Sequence, residues 1–411
     1  DIVVVNSCGF IESAKKESID AVIGWKEAWP GKKILLAGCL AQRYAKELAA
    51  DLPEADGIVG NADLAAVTLA VEELAGGGRP VIIPEAAASI GTVRRRRLLD
   101  FPGTAHVKIT EGCSNNCTFC AIPLIRGRLR SRPVNDIIAE CAELVALGIH
   151  EIVLVGQDLG SYGKDLGGRQ LLAELLEGLS ALEGSFRVRV MYIHPDNFPH
   201  DILPVMAADP RLLPYFDLPF QHASESLLKR MNRRGNAATY LGLLATIRAS
   251  LPDAVLRSTF LLGFPGESDE DFEALRSFQE AARLDWLGSF SYSREEGTAA
   301  ASMKGRVPKK TVDARRKAVE EAQERITRAG LERFVGRELS VLVEEPLEND
   351  EDSFSIGRAW LQAPDVDGLT VLRGSWPPGK LVRARVISVA GVDLDAEVLG
   401  GRASARNDSR S

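Results

Sequence analysis

The run Glu111-Gly-Cys-Ser-Asn-Asn-Cys-Thr-Phe-Cys120 sets three cysteines, Cys113, Cys117 and Cys120, within eight residues. Closely spaced thiolates favour soft-metal and iron-sulfur chemistry. Three thiolates can hold three corners of a cubic iron-sulfur cluster and leave the fourth iron without a protein ligand, and an open metal position is where a substrate or cofactor binds. Zinc is the alternative, but it needs a fourth ligand, and the nearest histidine, His106, lies on the preceding strand at an unusual spacing. Three unrelated cysteines on a loop is the remaining reading. Cys8 and Cys39 each follow a short apolar run, Ile2 to Val5 and Lys33 to Ala37. In an open parallel sheet the carboxyl ends of the strands form the ligand crevice, so these two thiols are expected to face one site. A pair of inert buried cysteines competes with that reading, because free cysteine is among the most buried residue types.

The elements that must position these groups follow from apolar patterning. Residues 1 to 75 alternate short strands with helices, which implies parallel βα units. Between Ala105 and Tyr292 six strand-like segments recur: His106 to Thr110, Glu151 to Val155, Arg187 to Ile193, Tyr215 to Leu218, Val255 to Leu262 and Gly288 to Tyr292. Helical stretches separate them, such as Val134 to Leu147 with apolar Ile137, Ile138, Cys141, Leu144 and Val145. Six repeats predict part of a barrel, since the closed form has eight strands. Catalytic groups in such folds gather where the strands end. There this sequence puts Gln157 and Asp158, Tyr192 and His194, Gln221 and His222, and Ser293 to Glu296, with the cysteine triad after the first strand. Each alone reads equally well as a loop hydrogen-bonder; together they fit one mouth.

Residues 81 to 101 break the pattern and carry Arg94 to Arg97. They are expected to be a solvated linker, with an RNA contact as the second reading. A charged helix from Lys310 to Arg333 leads into Gly336 to Gly400, short strands with Gly, Pro and Asp turns, which suggests a small β-barrel of the oligonucleotide-binding kind. That segment carries twelve acidic and six basic residues, densest at Glu344, Glu345, Glu348, Asp350, Glu351 and Asp352. Nucleic-acid barrels have a basic groove, so a basic protein is the expected partner. The tail after Arg402 is polar and expected to be disordered.

The 411 residues predict two or three domains. A hydrophobic content of 45% with 26% charged residues is that of a globular protein. No apolar run approaches the roughly 18 residues that would span a bilayer. Six cysteines in a chain of this length do not suggest a disulfide framework, and thiols needed as ligands must stay reduced, so the cytoplasm is the expected compartment. Net charge of -7 argues against whole-chain nucleic-acid binding by electrostatics. The chain opens on Asp1 in mid-strand and is expected to be N-terminally incomplete.

Taken together the motifs resemble those of the radical S-adenosylmethionine methylthiotransferases over nearly the whole chain. The resemblance rests on Asn6-Ser-Cys8-Gly-Phe-Ile-Glu-Ser-Ala14, Gly38-Cys39-Leu-Ala-Gln-Arg-Tyr44, the cysteine triad, Ala121-Ile-Pro123, Arg126-Gly127 and Leu129-Arg-Ser-Arg132. Further on it includes Asp217-Leu-Pro-Phe-Gln-His222, Gly263-Phe-Pro-Gly-Glu267 and Tyr292-Ser-Arg-Glu-Glu-Gly297. The resemblance implies an α/β chain: a flavodoxin-like N-terminal domain over 1–80, a linker over 81–101, a partial (βα)6 TIM-like radical SAM barrel over 102–334, and a TRAM domain, an OB-like small β-barrel, over 335–401. One branch of the family modifies tRNA adenosines and another an aspartate of small-subunit ribosomal protein twelve. Cys8-Gly-Phe-Ile-Glu-Ser-Ala, Ala121-Ile-Pro and Ala363-Pro-Asp-Val-Asp-Gly368 look like the second branch, and the acidic C-terminal segment points the same way.

What the resemblance implies about chemistry is specific. Cys113, Cys117 and Cys120 would hold one 4Fe-4S cluster with no fourth protein ligand, and its open iron would chelate S-adenosylmethionine. Reductive cleavage would give a deoxyadenosyl radical that takes a hydrogen atom from the β-carbon of the aspartate. Cys8 and Cys39 would hold a second 4Fe-4S cluster that delivers sulfur. That cluster's first cysteine lies in a Gly-Cys-Pro-Lys-Asn stretch upstream of where this sequence starts. Peptide units around Phe119 would meet the adenine, and Gln157 and Asp158 the methionine end. An electron donor and a sulfur source are implied partners. An electron-transfer Fe-S module, separable by cofactor titration, and an RNA-binding module with a structural metal, separable by salt dependence, are the readings from other classes.

Overall fold

The computed structural model describes residues 1–85, 102–348 and 353–400. Outside them fall Arg94 to Arg97 with most of the expected linker, Asp350, Glu351 and Asp352 of the acidic stretch, and the tail after Arg402.

The N-terminal unit is a four-stranded parallel sheet in chain order, Ile2–Ser7, Lys33–Gly38, Gly57–Val59 and Val81–Ile82. The fourth strand lies just past residue 80, inside the stretch expected to be linker. Helices Glu12–Ala28 and Cys39–Asp51 cover one face through Val22, Leu40 and Leu48, while Ala65–Ala75 covers the other through Ala66, Ala70 and Leu74. Helices thus cover both faces of the parallel sheet.

Six parallel strands follow in chain order, Thr104–Lys108, Glu151–Val155, Arg187–Val190, Tyr215–Asp217, Val255–Leu262 and Trp286–Ser291. They form two three-stranded sheets joined by a single parallel bridge from Val188 to Leu212. Among the described residues no pairing returns the sixth strand to the first, so the barrel is open. Amphipathic helices sheathe it. Val134–Ala146 buries Ile137, Cys141 and Leu144, a spacing that puts them on one helical face. Two helices start from capping boxes, Asn236 with Thr239 and Ser268 with Asp271.

Helix Lys309–Leu331 leads to a closed five-stranded barrel of Glu338–Glu348, Ser353–Arg358, Thr370–Arg373, Leu381–Ala390 and Asp393–Val398. Around the barrel the order is first, second, third, fifth, fourth, with the third and fifth parallel. It packs under the half-barrel, against the residues at which the large strands begin. Val153, Tyr215, Val255 and Trp286 share one apolar cluster with Val341, Leu361 and Val382.

Candidate functional site

The cysteine triad sits in a loop closed at its neck by Thr110–Glu111 pairing antiparallel with Arg130–Ser131. At this neck Gly112 has φ +75, and a Cβ there would lie 2.3 Å from the Arg128 carbonyl oxygen, so only glycine fits. Asn116 takes a left-handed turn at φ 52, which Asn tolerates, and Cys120 N–H donates to the Cys117 carbonyl at 3.0 Å. The loop is held from outside as well: Asn232 Nδ2 donates to the carbonyls of Asn115 and Asn116 at 3.2 and 3.0 Å.

Burial, followed by the Asp158 charge and then that of Cys117, pushes the Cys113 thiol up to about 11, and burial followed by the charge of Cys117 and Cys113 pushes Cys120 up to about 12. Metal loading must therefore displace protons. Among the described residues no three His, Cys, Asp or Glu side chains converge as they would on one ion. A tetrahedral zinc would draw its thiolates to within roughly 4 Å of one another. Thiolates on a cubane each bind a different iron, so three of them leave one iron without a protein ligand.

Asp158 is 1% exposed and uses both carboxylate oxygens within the protein. Oδ1 accepts from the N–H groups of Gly160 and His194, each at 3.0 Å; Oδ2 accepts from Ser161 Oγ at 2.6 Å, Asn115 Nδ2 at 2.8 Å and Asn197 Nδ2 at 2.9 Å. Both oxygens of Asp158, expected at the methionine end of the cofactor, thus have protein partners, among them Asn115 of the cysteine loop. Gln157 differs: its Oε1 is buried without a partner, an acceptor open to a ligand. Phe119 is half-buried against the main core, with the Arg233 guanidinium 5.8 Å from its ring centre.

His194 Nδ1 accepts from the Asp196 N–H at 3.2 Å, which leaves the proton on Nε2, 3.8 Å from Cys117 Sγ. Burial and the nearby Arg233 lower its pKa to about 4. Tyr192 stands 39% exposed at the mouth with φ 61, and Gln221 at its own strand end has φ 67. His222 does not join them. It is fully buried, and the charges that act on it, Asp271 and Arg315, belong to the outer helices.

Pairing of Ser7 with Gly38 sets Cys8 and Cys39 side by side at the carboxyl ends of adjacent strands. A Cβ on Gly9 would lie 2.7 Å from the Cys39 carbonyl oxygen, so the two turns are in backbone contact. Cys8 is exposed and Cys39 half-buried, whereas the sixth cysteine, Cys141, lies in the core. Cys39 Sγ accepts from Asn61 Nδ2 at 3.1 Å and from Arg126 Nη2 at 3.3 Å. Arg126 belongs to the short helix that follows Cys120, and its other amino group pairs with Glu111, beside the neck of the cysteine loop. One guanidinium thus spans the two cysteine groups. Sequence reasoning quoted Arg126-Gly127 without giving Arg126 a role and passed over Asn61, Asn115 and Asn197. Only the position of Asn115 between two ligand cysteines could have marked it.

Sequence models of three families match this chain: the radical SAM superfamily over residues 107–278, the TRAM domain over 335–399, and an uncharacterized protein family, UPF0004, over 1–60. A protein of Treponema denticola named ribosomal protein uS12 methylthiotransferase RimO is 45% identical over 96% of this chain and 92% of its own length. Proteins of the same name are 40% identical in Moorella thermoacetica, over 94% and 88%, and 41% identical in Thermotoga maritima, over 91% and 85%. The chain belongs to the RimO family of radical SAM methylthiotransferases. Among solved structures, the radical S-adenosylmethionine methyltransferase TsrM of Kitasatospora setae, solved with cobalamin and a 4Fe-4S cluster, superposes with a TM-score of 0.55 at 15% identity, covering 73% of this chain and 63% of that one. The likeness shows a shared fold. Membership of the superfamily implies one 4Fe-4S cluster and S-adenosylmethionine.

Several charges of the C-terminal barrel are used within the fold. Asp367 has a fully buried side chain, Glu344 pairs with Arg358, and Glu338 pairs with both Arg383 and Arg385. Burial of Asp367 lowers the surface count by one acid, and the pairs leave the balance of charge as it was. Among the described residues no helix is long and apolar enough to cross a membrane.

Proposed function

We propose that this chain adds a methylthio group to the β-carbon of an aspartate in ribosomal protein uS12, the substrate named for its relatives. The supporting observation is Arg126, which brings Cys39 to the same mouth as the cysteine triad. A radical enzyme that inserts sulfur needs both centres within reach of one substrate carbon.

Cys113, Cys117 and Cys120 would hold the cluster that supplies the electron for cleaving S-adenosylmethionine to a deoxyadenosyl radical. Cys8 and Cys39 would contribute thiolates to a second 4Fe-4S cluster. Gln157 Oε1 would accept from the ammonium group of the methionine end, and the peptides around Phe119 would border the adenine. Asp158 fixes the loop that carries Cys113, and His194 donates toward Cys117 from its Nε2. Asn61 and Arg126 offer hydrogen-bond donors to the Cys39 sulfur, which stabilises negative charge there. The reading includes the domain limits near residues 80, 101 and 334, a cytoplasmic site of action, and an electron donor and sulfur source supplied from outside the chain.

The test is anaerobic reconstitution with iron and sulfide, then reaction with S-adenosylmethionine, a reductant and purified uS12. Deoxyadenosine and a uS12 heavier by one methylthio group are the expected products. Cys117→Ala should abolish both, whereas Cys8→Ala should abolish the modified protein and leave deoxyadenosine. Deoxyadenosine from Cys117→Ala, or methylthiolation of tRNA in place of uS12, would overturn the assignment.

A further inference from the structure

The N-terminal unit meets the half-barrel through polar contacts. Among the described residues its two apolar clusters contain nothing beyond Ile82, so none of them joins it to the half-barrel in a shared core. The contacts converge on Glu295, in the loop after the sixth barrel strand, whose side chain is 2% exposed. Its Oε2 accepts from Arg43 Nη1 at 2.7 Å and Lys15 Nζ at 3.1 Å, and its Oε1 from Ser293 Oγ at 2.7 Å. Arg43 also donates to the Gly9 carbonyl at 3.1 Å and to the Glu296 carbonyl at 2.5 Å, and the Glu12 N–H donates to Ser293 Oγ at 3.3 Å. Both cations lie over the Tyr44 ring, Lys15 at 5.5 Å and Arg43 at 4.9 Å from its centre.

The placement of Arg43 is what matters for the cysteines. Helix Cys39–Asp51 begins at Cys39, and Arg43 is one turn further on, while the Gly9 carbonyl that Arg43 holds belongs to the residue after Cys8. A single side chain therefore ties both N-terminal cysteine turns to the barrel loop. Tyr44, immediately after it, departs from helical geometry at φ -129, so the first turn of this helix is set apart from the rest.

We propose that Glu295 is a positioning residue: by clamping Arg43 and Lys15 it fixes the separation of the Cys8 and Cys39 turns from the cysteine triad. This rests on the two-centre reading above. Neutralising this buried carboxylate leaves Arg43 uncompensated and Lys15 with only the exposed Glu12. Reacting groups misplaced by 1 Å can cost on the order of a hundredfold in rate. Generation of the radical uses only the triad side of the mouth and does not need the clamp.

The experiment compares wild type with Glu295→Gln, Arg43→Glu and the charge-exchanged pair Arg43→Glu with Glu295→Arg. On the metal-free chain, hydrogen exchange at the Glu12 amide should quicken about tenfold in both single variants and return toward wild type in the exchanged pair. In the reconstituted enzyme, deoxyadenosine should stay within about twofold of wild type while methylthiolated product falls on the order of a hundredfold. Unchanged exchange at Glu12 in Glu295→Gln, or parallel loss of deoxyadenosine and product, overturns the proposal. The exchange measurement does not depend on activity. A wild-type chain that makes no methylthio product would count against the functional reading and leave the clamp tested.

Discussion

The half-barrel carries a partner at each end, and the two joins are built differently. Beneath it the C-terminal barrel shares an apolar cluster with the strand starts and surrounds a set of buried charges. Glu151 takes Arg187 at 2.6 Å, Arg189 at 2.7 Å and Arg358 at 3.3 Å, with Arg358 coming from the C-terminal barrel. Trp286 Nε1 donates to the Leu361 carbonyl at 2.8 Å. At the mouth the N-terminal unit is held by ion pairs and hydrogen bonds, with no shared core among the described residues. Apolar burial is cumulative and insensitive to any one contact, whereas a polar clamp depends on a few groups and can be released by changing one. The lower join is suited to rigidity and the upper one to setting, and resetting, the distance between two chemical centres.

The largest test is Glu151→Ala. It would strand Arg187 and the fully buried Arg189, and leave Arg358 with Glu344 as its one remaining carboxylate partner. Removing one partner of a buried pair costs about 3–5 kcal/mol. Loss of stability on that scale, with the half-barrel and C-terminal barrel unfolding in one transition, is expected in chemical denaturation. Two separate transitions in wild type would break the contrast, because a shared core predicts one.

Opposite responses to acid should sharpen it. Asp367 of the C-terminal barrel accepts from Tyr215 Oη at 2.7 Å beside Arg257, and burial pushes its carboxyl up to about 6. Since the folded value lies above the ordinary one near 4, stability from this group is full below about pH 4 and declines as pH rises to about 6. The wild-type minus Asp367→Asn difference in unfolding free energy should fall by on the order of 3 kcal/mol across that window. Asp217 is shifted the same way by burial and shares Arg257 with Asp367, so the difference reads Asp367 together with its effect on that pair. Glu295 runs the other way. Burial alone would raise it, but Ser293, Arg43 and Lys15 hold it below the usual carboxylate range. Its contribution is present above the ordinary glutamate value and is lost only as pH falls through the depressed one. Between pH 6 and 4 the lower join should tighten while the upper one holds, and exchange of the Glu12 amide against that of the Leu361 region would read both.

The same contrast explains what was legible in the sequence. Cys113, Cys117 and Cys120 are contiguous, and the strand before them is marked by its own apolar residues, so the loop could be read from eight letters. The six barrel strands, the helices between them and the closed C-terminal barrel were equally local. What could not be read was pairwise and distant. Asp158 looked like a ligand group because of its place at a strand end, and only the convergence of Asn115, Ser161 and Asn197 shows that its oxygens are already used. His222 looked the same as His194 in the sequence, yet one ring is buried under outer helices and the other faces Cys117. Net charge over Gly336 to Gly400 counted Asp367 as a surface group, although it lies within the lower join. Glu295 was one of four polar residues at a strand end, and nothing near it in the sequence names Lys15 or Arg43, some 250 residues away.

The smallest expected effect concerns Lys15. It shares Glu295 with Arg43 but also pairs with the exposed Glu12 at 2.8 Å, and its side chain is 13% exposed against 8% for Arg43. Lys15→Met leaves Glu295 with its guanidinium and hydroxyl partners. The loss should be near that of one partly screened pair, about 1 kcal/mol, and smaller than that from changing Arg43. Although burial alone would lower its pKa, hydrogen bonds to Glu12 and Glu295 raise it. A lysine raised in this way contributes fully below the ordinary lysine value and loses its contribution only as pH climbs through the raised one. From pH 5 to 9 the opening free energy at the Glu12 amide should therefore differ between wild type and Lys15→Met by a constant amount, and global stability should not change. A difference as large as that for Arg43→Glu would mean that the clamp is a charge cluster without a leading partner; a change in global stability would mean that the upper join is as integral to the fold as the lower one.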